Sequence, residues 1–239
     1  PSGWAATERR LKSDSLMDNL IQTLAIYAIP VIFAITLHEA AHGWMAEKFG
    51  DNTARMLGRV TFNPIKHVDR MGTIILPGML MLAHSPILFG YAKPVPVNFR
   101  QLNPPRLGML MVALAGPGTN LLLALIGGLL LHIDVYLSPE EAPWIFQNLY
   151  MFLLINCVIA LFNMLPILPL DGGRVLDSLL TGSAQRLFQK TERFGMWLVL
   201  GLLLIPTLLG YNISQVLIGI PSMWLMEHIL WITGNGGLS

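Results

Sequence analysis

A glutamate flanked by histidines, in His38-Glu39-Ala40-Ala41-His42, has a spacing suited to metal-assisted hydrolysis. Two histidines four apart on a helix lie one turn apart on the same face, so both imidazoles can reach one cation. The carboxylate of Glu39 then sits beside that cation without ligating it, within reach of a water molecule. This is the HExxH arrangement of zinc hydrolases, and it predicts one Zn2+ per chain. A catalytic zinc is expected to take a third protein ligand. Asp171, in Asp171-Gly172-Gly173 after an apolar run, is a candidate, although Asp-Gly-Gly is also an ordinary helix stop. His67, Asp69, His84 and His132 are further candidates, each in a context that suits a loop or interface residue better.

The segments that carry these residues are apolar. Of 239 residues 54% are hydrophobic and 12% charged, where a soluble domain has about a quarter charged. Charge-free runs cover residues 19–37, 71–92, 107–133, 142–170 and 194–226; runs of about 18 or more residues suit helices that cross a bilayer. Ionisable groups inside such a helix are costly and mark function, which raises the weight of His38, Glu39 and His42. The expected fold is an all-α polytopic membrane protein. It has about five full transmembrane helices plus a re-entrant segment with short β-strands. One strand is expected at Arg59–Phe62, closed by the Asn63-Pro64 turn. Residues 71–92 are broken by Pro77-Gly78 and Ser85-Pro86, and Tyr91–Asn98 must be extended because each proline biases its predecessor away from helix. Residues 194–226 are too long for one crossing, and Tyr211–Gln215 suggests a hairpin between two short spans.

Residues 1–16 read as a polar tail without an initiator methionine, appended to a single membrane-embedded domain over 17–239. That domain has a core at 18–174 and C-terminal helices at 194–233. A net charge of +1 gives no reason to expect a nucleic-acid partner. The single cysteine, Cys157, excludes an intrachain disulfide.

Four motifs together resemble the site-2 proteases, the intramembrane zinc metalloproteases of peptidase family M50. They are the HExxH helix, Gly58-Arg59-x-Thr61-x-Asn63-Pro64, Ala115-Gly116-Pro117-Gly118-Thr119-Asn120, and Asn163…Pro166…Pro169-Leu170-Asp171-Gly172-Gly173. The resemblance spans His38 to Arg174 and suits the compact members without PDZ or CBS domains. It implies that His38, His42 and Asp171 bind zinc and that Glu39 is the general base. It also implies that Asn120 and Asn163 sit near the scissile carbonyl, and that the substrate is a transmembrane protein cleaved within or beside its membrane-spanning segment. Leu168 stands where the family often has a proline, a departure that touches the local kink rather than the ligand. The alternative from another class is a metal-ion transporter or channel using the His/Glu/Asp cluster.

Metal binding by Asp171 constrains topology. His38 and His42 lie late in the first span and Asp171 ends the 142–170 span, so these two spans must run in the same direction. An odd number of crossings must separate them, and residues 107–133 supply one. If 71–92 is re-entrant, basic residues divide 12 to 3, with only Arg9, Arg10 and Lys12 opposite the site; a full crossing gives 10 to 5. The positive-inside rule favours the first arrangement. The expectation is a multi-pass protein of a prokaryotic cytoplasmic membrane with its active site toward the cytoplasm.

Overall fold

The computed structural model describes the backbone of residues 2–82 and 91–238, with side chains from residue 25 onward except at 74, 77, 80, 81, 206–208 and 238. The Ser85-Pro86 break and the candidate ligand His84 lie outside the described residues, as do the side chains of residues 1–16. The helices in chain order are α1 (Ser2–Lys48), α2 (Thr53–Met56), α3 (Leu76–Leu82), α4 (Pro105–Leu130) and α5 (Pro143–Asn163). They continue as α6 (Asp171–Leu179), α7 (Gly182–Gln189), α8 (Glu192–Leu208) and α9 (Ile220–Ile232).

Among the described residues, four stretches are long and apolar enough to cross a membrane: Ala25–Lys48, Pro105–Val135, Pro143–Asn163 and Gln215–Ile232. About five full spans are expected from the sequence, and the described residues support four. The difference lies in α8. It has 17 residues and opens on charged Glu192 and Arg193. Within residues 194–226 the helix breaks at Leu209–Asn212 and resumes at Ile213, so this stretch is two helices. The polar N-terminal residues are not a separate coil but the first turns of α1.

The expected β-strands are also corrected: the described residues contain none. At Arg59–Phe62 the backbone groups that a ladder would use are taken locally. The Arg59 amide donates to the Ala54 carbonyl, and the Thr61 carbonyl lies 3.1 Å from His67 Nε2. Asn63 N–H donates to Thr61 Oγ1. The following segment is tied at its neck. Tyr91 N–H donates to the Gly72 carbonyl at 3.0 Å, Thr73 Oγ1 to the Tyr91 carbonyl, and Lys93 N–H to the His67 carbonyl. Residues 72 and 91 are thus neighbours, and the chain between them leaves and returns at one place.

Helices α1, α4 and α5 form the frame of the molecule. His42, late in α1, meets Val112, early in α4. Leu131, just past α4, packs on Leu153 of α5 in an apolar cluster with Cys157, Met226 and Leu230. So α4 runs antiparallel to both α1 and α5, which run in the same direction. Beyond α5 the chain folds back on itself into α6. A Cβ on Gly173 would stand 2.5 Å from the backbone of Ile167 and Leu168. Only glycine allows that approach, and it brings the start of α6 back toward α1 and α4.

Candidate active site

The structure brings His38, His42 and Asp171 together. His38 Nε2 lies 3.2 Å from Asp171 Oδ2, His42 Nε2 lies 3.3 Å from Asp171 Oδ1, and the two Nε2 atoms are 3.0 Å apart. The donor atoms of these three side chains fall within 4.8 Å of one another.

The opposite edges of both rings are engaged by α4. His38 Nδ1 lies 2.6 Å from Asn120 Oδ1, and His42 Nδ1 lies 2.7 Å from the Val112 carbonyl. Both partners accept, so each Nδ1 must carry the proton. Each Nε2 then presents a lone pair, and the two lone pairs face each other and a carboxylate. Asp171 Oδ2 is buried without a hydrogen-bond donor. Three electron-pair donors converging with no proton among them repel one another in neutral form and suit a cation. Gly116 leaves the room for one: a Cβ there would overlap His42 Nε2 and stand 2.6 Å from His38 Nε2. A two-imidazole, one-carboxylate set is among the ligand sets of catalytic zinc.

These groups open onto a cavity of about 310 Å3 whose other wall is the extended chain after Tyr91, contributing Pro94, Val95, Val97 and Phe99. Glu39 faces this cavity beside the histidines and accepts Val95 N–H at 2.8 Å. Three side chains pin the extended wall. Arg59 Nη2 donates to the carbonyls of Lys93 (2.6 Å) and Pro94 (3.3 Å), Glu39 takes Val95 N–H, and Asp51 takes Asn98 N–H at 2.6 Å. Arg174 lines the same cavity, stacked on Phe99 and paired with Glu192 at the start of α8.

The two asparagines singled out from sequence occupy different places. Asn163 lines the cavity, with Nδ2 bonded to the Ile159 carbonyl one turn back. Asn120 is fully buried behind His38. Its Nδ2 donates to the Ala34 carbonyl (3.3 Å) and Asn156 Oδ1 (2.8 Å), so its amide donors point into the protein and not into the cavity. The remaining candidate ligands stand elsewhere. His132 Nε2 bonds the Thr233 carbonyl, His67 bonds the Thr61 carbonyl, and Asp69 caps the turn at Met71 and Gly72.

Sequence reasoning missed Asn156, Asp51 and the role of Arg59. An asparagine in the middle of the apolar α5 was the available signal for the first. Nothing local marks the contact of Val95 with Glu39, because its donor is a backbone amide.

The family model described as peptidase family M50 matches residues 26–139 and 132–206. YwhC of Bacillus subtilis, which carries a provisional zinc metalloprotease name, is 38% identical over 80% of this chain and 83% of its own length. The Rip2 proteins of Mycolicibacterium smegmatis and Mycobacterium tuberculosis (strain H37Rv), provisionally named likewise, are 30% and 32% identical over 87% of this chain and 73% of theirs. No solved structure matches significantly. With the family model covering most of the chain and YwhC related along 83% of its length, this chain belongs to peptidase family M50, the site-2 protease family of intramembrane zinc metalloproteases.

Proposed function

We propose that the chain hydrolyses peptide bonds within or next to the transmembrane segments of membrane proteins, with one zinc held by His38, His42 and Asp171. The observation that carries this reading is the convergence of two Nε2 lone pairs and an unpaired carboxylate oxygen beside Glu39, on a cavity large enough for a peptide backbone. Bound there, zinc supplies Lewis acidity toward water and the scissile carbonyl.

The chain's own groups divide the remaining work. Glu39 is the general base that takes the proton of the attacking water and passes it to the leaving nitrogen. Its bond from Val95 N–H fixes the carboxylate's orientation. Asn163 donates to the developing oxyanion, a role supported by its position on the cavity wall. Asn120 acts instead through His38 by holding the ring. Substrate must present unwound backbone, because a helix hides its peptide bonds.

The antiparallel placement of α4 between α1 and α5, and the neck that joins residues 72 and 91, support a re-entrant segment and a site near the more basic side. By the positive-inside rule that side is the cytoplasm of a prokaryotic cell. The peptidase family membership does not favour the metal-transporter alternative.

The test is cleavage of single-span membrane proteins in proteoliposomes by wild type and Glu39→Gln, with bound zinc measured for both. The expected outcome is retained zinc and a loss of rate of about 10²–10⁴, the size of a general acid–base contribution. Cleavage by Glu39→Gln at the wild-type rate would overturn the assignment. Chelation should abolish cleavage and added Zn2+ restore it.

A further inference from the structure

A polar chain crosses the three framing helices behind the metal ligands. His38 Nδ1 of α1 meets Asn120 Oδ1 of α4 at 2.6 Å; Asn120 Nδ2 meets Asn156 Oδ1 of α5 at 2.8 Å; and Asn156 Nδ2 meets the Phe152 carbonyl at 2.8 Å. Both asparagines are 0% exposed and His38 is 5% exposed, so water does not substitute for any of these partners. Direction along the chain follows from its far end. A backbone carbonyl only accepts, so the NH2 of Asn156 must face Phe152 and its oxygen must face Asn120. Asn120 must then turn its NH2 toward Asn156 and its oxygen toward His38. His38 must carry its proton on Nδ1, which leaves Nε2 bare toward Asp171 and His42.

We propose that Asn156 is a positioning residue of the metal site: through Asn120 it dictates which nitrogen of His38 is free for the metal. This rests on the reading of His38 as a ligand. It extends that reading, because Asn156 touches neither the metal ligands nor the cavity lining and its contribution is transmitted by amide orientation alone. In its absence the Asn120 amide keeps only the 3.3 Å bond to Ala34 as a guide. Flipping would then present NH2 to His38, favour the Nε2–H tautomer, and close the metal position with a proton.

The test measures zinc affinity of the full chain in detergent by chelator competition, with the thermal midpoint of the metal-free protein as the control for folding. Asn156→Leu is expected to bind zinc about 10–100-fold more weakly, the cost typical of losing a group that orients a ligand, while the metal-free midpoint remains a cooperative transition. Asn120→Asp supplies a carboxylate that accepts from His38 without needing orientation, but in the native background it faces Asn156 Oδ1, acceptor against acceptor. The double variant Asn120→Asp/Asn156→Leu removes that conflict and is expected to bind zinc more tightly than Asn120→Asp alone. Wild-type affinity in a folded Asn156→Leu overturns the proposal, and so does a double variant no tighter than Asn120→Asp. The second comparison stands even where Asn156→Leu alone does not fold. Failure of the ligand assignment is separately visible, because His38→Ala would then retain zinc.

Discussion

The two walls of the cavity are built on opposite principles. The metal-binding wall comes from α1, α4 and the start of α6, and its polar atoms are locked by buried side chains that pass from one helix to the next. The facing wall is extended chain with no secondary structure of its own. Its two prolines, Pro94 and Pro96, remove backbone donors, and its shape is imposed by Arg59, Glu39 and Asp51 reaching out from elsewhere. On the proposed function, one wall keeps the atoms of His38, His42 and Asp171 placed for the metal whether or not substrate is present. On the same reading the other meets the substrate backbone, with its own backbone held by side chains from elsewhere. Glu39 belongs to both, as a residue of the ligand helix that also grips the opposite wall.

If this contrast is right, variants on the two walls should separate zinc affinity from substrate handling. The largest effect is expected for Asp171→Ala, with zinc affinity down by more than about 100-fold, beyond the range for groups that only orient ligands; metal content after dialysis checks it. Gly116→Ala comes next. Its added methyl overlaps the two Nε2 atoms, so zinc affinity should fall about 10–100-fold, while Gly118→Ala, with open space around its Cα, should leave it unchanged. On the facing wall, Arg59→Leu removes charged hydrogen bonds of about 1.5–3 kcal/mol each. It is expected to lower kcat/KM about 10–100-fold with zinc affinity within about twofold of wild type, and Arg59→Lys should recover part of the loss. A parallel fall in zinc affinity would erase the distinction between the walls. The smallest effect belongs to Arg55→Gln, which breaks an exposed pair with Glu47 outside both walls; neither activity nor thermal midpoint should change measurably.

The metal-binding wall was largely legible in the sequence, and the facing wall was not. The i, i+4 spacing of His38 and His42 is a helical regularity, and Asp171 stands in a motif of its own. Requiring these to meet also fixed the relative direction of α1 and α5. Asn120 was found through its motif, but its side-chain direction depends on Asn156, 36 residues away, and no local pattern encodes that pairing. The strand expected at Arg59–Phe62 failed because alternation cannot show that Arg59 turns inward to serve a different segment. The length of residues 194–226 required two helices, and the first of them, α8, starts with charged Glu192 and Arg193.

The neck between Gly72 and Tyr91 makes the intervening residues a cassette. Ends that are joined by hydrogen bonds set the start of the extended wall. Exchanges within α3 are therefore uncoupled from the geometry of Val95 and Glu39. That gives the enzyme a place where its surroundings in the bilayer can diversify while its chemistry stays fixed.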